Sequence, residues 1–394
     1  MKKLGFGLMR LPLLDPSDVT SIDMEQMEKM VDLFMEKGFT YFDTAWLYRG
    51  FKSEIATKAA LVERYPRESF QLATKLHADF FNTLDERDDI FNAQLQKTGA
   101  GYFDKYLLHG VDSQKIKKLE ELDCFNWLLD KKEKGLIKQL GFSYHYNAEL
   151  LDEILTTHPE VEFVQLQINY LDWESPWIQS RANYEVCLKH NKPVIVMEPV
   201  KGGSLAAVPE EAEKLFRAAD PNMSVSSWGI RFAASLPNVE VVLSGMSDLE
   251  QMKNNVSYME NFKPLTKEET ELCFKVADII NAQIAVPCTG CEYCVKGCPQ
   301  NIAIPQYFSL YNELMREDMK KKGWTQSFSR YGLLTQKFGK AADCIACGQC
   351  ESICPQHLTV IEYLGQVSSR FDKRLRILWI VSDGESRLPA KYCI

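Results

Sequence analysis

The sequence predicts an α/β fold, in which a (β/α)8 TIM barrel is followed by a small, mainly helical second domain. Three observations support this prediction. The chain has 394 residues, more than one ordinary hydrophobic core holds. Short runs rich in β-branched and aromatic residues alternate with helical patterns through roughly the first 260 residues. Beyond them, the cysteines become dense and the strand pattern stops.

The barrel prediction depends on the number and order of these runs. The strand candidates are residues 4–8, 40–43, 70–74, 102–108, 137–142, 163–167, 193–197 and 239–243. Helical patterns between them cover residues 24–36, 85–97, 116–132, 149–156 and 247–258. Eight strand–helix units over about 250 residues are typical of a (β/α)8 barrel. The last helix is predicted to begin with a capping box over residues 247–250.

The pattern also predicts the limits of each part. We expect the barrel in residues 1–262, a linker helix in 263–286, a metal-binding domain in 287–370 and a C-terminal tail in 371–394. Within the third part, the apolar spacing of residues 305–314 predicts a helix.

Composition excludes several classes of function. The net charge is −8 and no basic run is present, which argues against a nucleic-acid partner. No stretch reaches the roughly 18 apolar residues that a membrane-spanning helix needs. The N-terminus is better explained as a first barrel strand than as an export signal, so we expect a cytoplasmic protein whose cysteines do not form disulfides.

Eight of the twelve cysteines form two motifs. The chain reads CTGCEYCVKGCP from Cys288 and CIACGQCESICP from Cys344. Both are the C-x2-C-x2-C-x3-C-P run that holds [4Fe-4S] clusters in bacterial ferredoxins, where the fourth cysteine of each run serves the other cluster. We therefore assign Cys288, Cys291, Cys294 and Cys354 to one cluster, and Cys344, Cys347, Cys350 and Cys298 to the second.

The alternative for these motifs is a pair of zinc sites. Zinc typically uses two C-x2-C pairs and has no need of a third cysteine in each run. The spacing favours iron–sulfur clusters, and hence a ferredoxin-like domain. The other cysteines lie outside any motif, so we expect them to be packing residues. They are Cys124, Cys187, Cys273 and Cys393.

Polar residues stand at the ends of three successive predicted strands. Asp43 ends the second strand and Tyr48 follows in the loop, Lys75 ends the third, and His109 ends the fourth. Each alone has an ordinary structural explanation. In a (β/α)8 barrel, however, the C-terminal strand ends meet at the catalytic rim. We expect Asp43 to hold Lys75 and the ammonium to lower the pKa of Tyr48, which could then protonate a carbonyl oxygen.

Residues 4–260 resemble the aldo-keto reductases. The resemblance lies in Gly38-Phe39-Thr40-Tyr41-Phe42-Asp43-Thr44-Ala45-x-x-Tyr48, the strand-end Lys75, and Leu107-Leu108-His109. It implies that Tyr48 is the general acid, that Asp43 and Lys75 tune it, and that His109 orients the substrate. It also implies a nicotinamide cofactor across the barrel mouth. The whole chain resembles the subgroup of this family that is fused to a dicluster ferredoxin domain.

The same resemblance suggests cofactor contacts. Ser143 and Gln165 match the positions that hold the nicotinamide carboxamide, and Met197 stands where an aromatic residue usually stacks on the ring. Gly202 and Gly245 lie in loops that could approach a cofactor phosphate, although the segment at Gly202 is as readily explained as a plain turn. The family's Lys-Ser pair is missing around Gly245, and Gln251 replaces an arginine that often meets the 2′-phosphate. The choice between NADPH and NADH therefore stays open.

Three functional hypotheses follow. A nicotinamide delivers two electrons as hydride, whereas a [4Fe-4S] cluster accepts one, and a flavin usually mediates between them. In the first hypothesis, the barrel reduces a small-molecule carbonyl substrate with NADPH or NADH. In the second, the barrel mouth holds a flavin such as FMN, and a ferredoxin or another electron carrier is the partner. In the third, the chain is a non-catalytic redox sensor or electron-carrier partner.

Aromatic residues in the predicted mouth loops have two explanations. They could wall a pocket for an apolar or ring-bearing carbonyl compound, or they could pack the loops. These residues, with their neighbours, are Trp46, Leu47, His77, Phe80, Phe81, Tyr170, Trp173 and Trp177.

Overall fold

The computed structural model describes residues 2–16, 18–176, 178–282, 285–286, 288, 292–316, 326–354 and 358–382. The chain divides into two compact units, Met1–Ile280 and Asn281–Ile394. No helix of the described residues is long and apolar enough to cross a membrane.

The first unit is a closed barrel of eight parallel strands, which confirms the predicted fold class. Each strand pairs with the next in the chain, and the last pairs with the first. The strands are β1 (Leu4–Gly7), β2 (Tyr41–Asp43), β3 (Gln71–His77), β4 (Phe103–Val111), β5 (Ile137–Tyr144), β6 (Phe163–Gln167), β7 (Val194–Met197) and β8 (Val239–Ser244). All eight predicted strands are present, within three residues at each end.

Twelve α-helices accompany this barrel within the described residues. They are α1 (Met24–Glu36), α2 (Tyr48–Phe51), α3 (Ser53–Thr57), α4 (Leu84–Thr98), α5 (Lys115–Glu121), α6 (Cys124–Glu133), α7 (Ala148–Thr157), α8 (Ser180–Lys189), α9 (Glu210–Ala219), α10 (Val225–Ser235), α11 (Leu249–Met259) and α12 (Lys267–Ala282). In α1, the Asp23 carboxylate caps the first turn, and Met27, Met30, Val31 and Phe34 form the buried face. This spacing places one apolar stripe against the strands.

The barrel interior is closed by side chains. Tyr41, Leu107, Phe163, Ile195 and Val241 are fully buried within one cluster. Strands enclosed on both faces need apolar residues at nearly every position, which explains why the sequence showed continuous apolar runs instead of strict alternation. The interior is therefore a packed core, and chemistry is restricted to the rim.

Two helix predictions differ from the structure. The pattern over residues 116–132 forms two helices, α5 and α6, because Asp123 adopts a left-handed conformation (φ 49°). The Arg87 guanidinium donates to the carbonyl of Leu122 at 2.5 Å, which stabilises this break. The helix predicted to begin with a cap at Ser247 is instead capped by Asp248, whose carboxylate accepts from the Gln251 N–H at 2.8 Å.

Helix α12 was expected to be a linker, but it packs on the barrel. Its residues Cys273, Val276 and Ile280 belong to the barrel's hydrophobic core. Arg231 of α10 also forms an ion pair with Glu269 of α12 at 2.9 Å. The helix is therefore part of the first unit, and the second begins at Asn281.

The second unit is mainly helical, as predicted. Its described helices are α13 (Tyr293–Lys296), α14 (Ile304–Arg316), α15 (Gln326–Leu334), α16 (Gln349–Ile353) and α17 (Val360–Ser382). Helix α14 confirms the helix predicted for residues 305–314. Much of the expected tail continues α17, and residues 383–394 lie outside the described part of the chain.

A small aromatic core supports these helices. Tyr307 and Tyr331 are fully buried, and the ring of Tyr331 stacks on Phe371 with centroids 4.6 Å apart. The Tyr307 hydroxyl donates to the carbonyl of Gly339 at 2.8 Å, and the Tyr331 hydroxyl accepts from the Ala341 N–H at 2.9 Å. These bonds tie α14 and α15 to the loop that precedes the second cysteine motif.

Candidate active site and cysteine cavity

The four polar residues predicted at the strand ends meet at one rim of the barrel. Lys75 is fully buried and forms an ion pair with Asp43. Its ammonium also donates to the carbonyl of Thr44 at 2.8 Å. The other oxygen of Asp43 accepts from Gln165 Nε2 at 3.1 Å. Side chains of β2, β3 and β6 are thereby joined inside the barrel mouth.

Tyr48 lies above this ion pair at the start of α2. Lys75 Nζ is 4.9 Å from the centre of the Tyr48 ring, so the ammonium lies beside the phenol. Burial raises the pKa of Tyr48 above its usual 10.0, although Lys75 acts in the opposite direction. The expected effect of Lys75 is thus present, but the prediction of a lowered pKa is wrong, because desolvation of the phenolate outweighs it.

Lys75 itself keeps its proton. Burial disfavours the ammonium, yet the negative charge of Asp43 and the Tyr48 hydroxyl raise the pKa of Lys75 above 10.5. Burial raises the pKa of Asp43 above 3.8, against the effect of Lys75. The pair is a charged lysine held by a carboxylate in a water-poor site.

His109 completes the group. Its ring meets the Tyr48 ring edge-on, with centroids 5.9 Å apart. Burial and the nearby Lys75 hold the pKa of His109 well below 6.5, so the imidazole is neutral. The Nδ1 atom is buried and has no hydrogen-bond partner among the described residues. His77, its neighbour in the β3–β4 register, lies 5.0 Å from it, ring centre to ring centre.

A second buried network lies behind Lys75, and sequence analysis missed it. Glu54 of α3 is fully buried, and its Oε1 accepts from Thr74 Oγ1 and from Gln94 Nε2, both at 2.7 Å. Gln94 Nε2 also donates to the carbonyl of Lys75 at 3.1 Å, and its Oε1 accepts from the Tyr106 hydroxyl at 2.5 Å. Burial raises the pKa of Glu54. No motif in the sequence marked Glu54, which lies in the short segment Ser53-Glu54-Ile55-Ala56-Thr57.

The residues predicted to hold a carboxamide are neighbours. Ser143 of β5 and Gln165 of β6 are Cα partners in the sheet, and both are buried. Ser143 Oγ accepts from the Gly110 N–H at 2.7 Å. Met197 ends β7, beside Gln167 of β6. The structure thus brings Ser143 and Gln165 to the Asp43 side of the mouth.

The loops after β7 and β8 carry the predicted glycines. Gly202 and Gly203 have left-handed backbone angles, φ 65° and 98°. Lys201 is bound to the buried Asp172 carboxylate at 2.7 and 2.8 Å, so its charge is neutralised. The side chain of Gln251 accepts from the Ser247 N–H and donates to Asp248, which makes it part of a helix cap.

The mouth aromatics separate into two groups. Phe81 and Tyr170 are buried in the core and Trp173 packs against that core, so these three pack the loops. Trp46 also packs against that core, and with Phe51, Phe80 and His77 it forms a chain of edge-to-face contacts with centroids 5.5–5.9 Å apart. Phe80 is exposed. Trp177 lies outside the described residues.

In the second unit, four cysteines surround one cavity. They are Cys298 from the first motif and Cys344, Cys347 and Cys350 from the second. Ile302, Ile304 and Leu364 form apolar walls. The N–H of Ile302 donates to Cys298 Sγ at 3.5 Å. Four cysteines are the number of protein ligands that one [4Fe-4S] cluster takes, although no three of the described residues are gathered closely enough to hold a single metal ion.

The other predicted set is described only in part. Cys288 and Cys294 are half-buried against the core of the second unit, and Cys354 follows α16. Cys291 lies outside the described residues. Cys124, Cys187 and Cys273 are buried in the first unit, where burial raises the pKa of Cys124 to about 11 and that of Cys273 to about 12. These three are packing thiols, as predicted, and Cys393 lies outside the described residues.

Comparison with known proteins places these features in a family. The profile of the Aldo/keto reductase family matches residues 3–278, and that of the 4Fe-4S dicluster domain matches residues 287–359. An aldo-keto reductase of Mycolicibacterium smegmatis is 29% identical over 187 residues; the match covers 47% of this chain and 63% of that protein. The uncharacterized oxidoreductase YqkF of Bacillus subtilis is 24% identical over 61% of this chain and 84% of its own length.

Solved structures agree on the fold. The holo form of the aldo-keto reductase AKR11C1 from Bacillus halodurans superimposes with a TM-score of 0.55 at 23% identity, covering 70% of this chain and 91% of that one. An aldo-keto reductase from Klebsiella pneumoniae in complex with NADPH superimposes with a TM-score of 0.54 at 15% identity, covering 70% of this chain and 90% of that one. This chain is an oxidoreductase that belongs to the aldo/keto reductase family and carries a 4Fe-4S dicluster domain after its barrel.

Proposed function

We propose that the barrel reduces a carbonyl compound to an alcohol with NADPH or NADH, with Tyr48 as the general acid. One observation carries the proposal: Tyr48 lies beside a charged, buried Lys75, whose Nζ is 4.9 Å from the centre of the Tyr48 ring, and that lysine is itself held by Asp43. A nicotinamide bound at the mouth supplies the hydride, and Tyr48 supplies the proton to the carbonyl oxygen. Lys75 stabilises the phenolate that remains.

The neighbouring residues have roles that fit this chemistry. Neutral His109 can donate one hydrogen bond to the carbonyl oxygen and so orient it beside Tyr48. Ser143 and Gln165 would hold the carboxamide, because they are adjacent on β5 and β6 and close to Asp43. The Klebsiella pneumoniae relative binds NADPH, which supports a nicotinamide at this rim.

For the second unit, we propose two [4Fe-4S] clusters that relay single electrons. Cys298, Cys344, Cys347 and Cys350 would hold one, since they line one cavity. Cys288, Cys291, Cys294 and Cys354 would hold the other. Replacing Cys298 by serine should lower the iron content from about eight to about four per chain. Unchanged iron after Cys298→Ser would contradict the assignment.

One observation fits NADH and the flavin alternative equally, because neither NADH nor FMN carries a 2′-phosphate. Gln251, which stands where an arginine would meet a 2′-phosphate, is occupied in a helix cap. A barrel mouth that binds FMN, with a ferredoxin as electron donor, has no need of that contact. The third hypothesis, a non-catalytic sensor, does not explain why the four polar residues are assembled.

An anaerobic reconstitution tests these proposals together. It should measure iron, sulfide and acid-released flavin, and record whether NADPH, NADH or dithionite bleaches the cluster absorbance. With a panel of apolar and ring-bearing carbonyl compounds, NAD(P)H-dependent reduction should fall about 10²- to 10⁴-fold in Tyr48→Phe. Iron content should stay unchanged in that variant. Released flavin, together with no NAD(P)H oxidation by the wild type, would favour the second hypothesis.

A further inference from the structure

Two arginines converge on the barrel mouth, and the chemistry proposed above does not use them. Arg10 follows β1, and its side chain lies along Gly245 of the loop after β8: a Cβ placed on that glycine would be 3.2 Å from the Cβ and Cδ of Arg10. A Cβ on Gly202, in the loop after β7, would be 3.2 Å from Arg10 Nη2. Both glycines therefore leave room for this one side chain, which bridges the two loops.

Arg49 comes from the neighbouring loop of the same rim, after β2 and directly after Tyr48. Its Nη2 donates to the carbonyl of Leu11, which places the guanidinium beside the segment that carries Arg10. Its Nε is buried and has no hydrogen-bond partner among the described residues. Arg10 is near enough to lower the pKa of Arg49, although burial contributes more. The hydrogen bond of Arg49 to Leu11 and its buried Nε, unpartnered in the described part of the chain, show two guanidinium groups on one side of the mouth with donors that an anion can accept.

The backbone around Arg49 supports a functional explanation. Arg49, Gly50 and Phe51 all have left-handed φ angles, 53°, 58° and 67°. For arginine and phenylalanine this conformation is sterically unfavourable and is typical of functional sites. The strained turn holds Arg49 next to the proposed proton donor.

Other charged groups near the rim do not neutralise the arginines. Lys201 is paired with Asp172, so Asp172 is occupied. Glu198 is a carboxylate on the same loop: its Oε2 would be 3.7 Å from the same Cβ placed on Gly202. Neither arginine forms an ion pair within the part of the chain that the structure describes. Glu198 can therefore act as a counter-ion that an incoming anion displaces.

We propose that Arg10 and Arg49 form an anion site that binds the phosphate groups of the cofactor, with Gly202 and Gly245 allowing close approach. Guanidinium groups bind phosphate oxygens through paired, charge-assisted hydrogen bonds. The ligand is a phosphate ester, and Arg49, which would bind it, directly follows Tyr48 in the chain. The ester is either the diphosphate of a nicotinamide dinucleotide or the phosphate of FMN. The site deepens the proposed function, since it explains how a cofactor binds without the usual contacts around Gly245 and Gln251.

The test is equilibrium binding to the anaerobically purified full-length holo-protein, with inorganic pyrophosphate, NADP⁺, NAD⁺ and FMN as probes. Nicotinamide riboside and riboflavin are the phosphate-free counterparts. Arg10→Ala and Arg49→Ala should each weaken binding of the phosphorylated probes about tenfold to a hundredfold, the loss expected for one charge-assisted partner. Arg10→Lys should lose less, because it keeps the charge. Lys52→Ala, an exposed cation on the same loop, is the matched control and should change nothing.

The results separate this inference from the proposed function. If wild type and both arginine variants bind every phosphorylated probe equally, or if wild type binds none, the anion site is wrong. Equal losses for the phosphate-free compounds also overturn it. If pyrophosphate and FMN depend on the arginines while NADP⁺ and NAD⁺ do not bind, the anion site stands and the nicotinamide proposal fails. Arg10 is exposed, so Arg10→Ala tests the site even if Arg49→Ala fails to fold.

Discussion

The barrel rim and the cysteine cavity differ in what completes them. At the rim, the buried lysine–carboxylate pair beside Tyr48 is complete within the protein: Lys75 is bound by Asp43, and Asp43 by Gln165. At the cavity, four thiols surround a space, and Cys347 is exposed. Cysteine ligands lose their protons when metal binds, and the free energy of metal binding then adds to the free energy of folding. The first site is therefore built by folding, whereas the second needs its cofactor to be stable.

Removal of iron should give the largest effect. A group that binds only the folded state stabilises it by about 4 kcal/mol when its concentration is a thousandfold above Kd. After anaerobic chelation of the iron, the unfolding free energy of the second unit should fall by at least about 4 kcal/mol, while the barrel unfolds at the same temperature as before. Differential scanning calorimetry of holo- and apo-protein measures both transitions. If the transition temperature of the barrel fell by the same amount, the contrast between the barrel rim and the cysteine cavity would be wrong.

Lys75→Met tests the barrel rim, which is the other site in this comparison. It leaves the buried Asp43 carboxylate without its partner, which should cost about 3–5 kcal/mol of unfolding free energy. Iron content should not change. Lys105→Met is the control, because Lys105 is also buried in the barrel but its partner Glu240 is one-third exposed and can be hydrated. Urea denaturation should show a smaller loss for Lys105→Met than for Lys75→Met.

Glu54→Leu should destabilise the barrel less. It deprives the Thr74 hydroxyl and the Gln94 amide of an acceptor, at about 1–3 kcal/mol for each buried donor. Glu54→Gln keeps an acceptor oxygen and should lose less. Since burial raises the pKa of Glu54 above 4.5, its stabilising contribution is complete below that value and is lost as the pH rises through the higher folded pKa. The advantage of wild type over Glu54→Gln, measured by urea denaturation, should therefore shrink as pH increases.

The smallest expected effect is that of pH on turnover. His109 is neutral because its pKa lies well below 6.5, and the pKa of Tyr48 lies above 10.0. The free enzyme should therefore show a kcat/KM that is flat from pH 6.5 to 10, and the rate should fall only as Tyr48 loses its proton above that range. A decline centred near pH 8 would mean that Lys75 outweighs burial.

Much of this comparison could be predicted from the sequence. The strands were predicted because an enclosed parallel barrel requires apolar runs, and the rim residues because the ends of successive strands meet. The break at Asp123 was missed since it depends on Arg87, which is distant in the chain. The raised pKa of Tyr48 was missed because burial is a property of the assembled rim.

Other features could not be predicted from the local sequence pattern, because they depend on contacts between distant parts of the chain. Arg10, Arg49, Gly202 and Gly245 come from loops after β1, β2, β7 and β8, and only the closed barrel brings them together. The packing of α12 on the barrel likewise depends on contacts of Glu269 and Cys273 with the first unit. Sequence spacing predicted the helix but not the surface that it covers.

The position of Cys298 sets an order on biosynthesis. This cysteine faces the same cavity as three others that are translated much later. A cluster held by these four sulfurs can be inserted only after the ribosome has passed Cys350, so maturation follows synthesis of both motifs. The barrel, by contrast, has all its strands once residue 244 has emerged, and it can close before any iron is delivered.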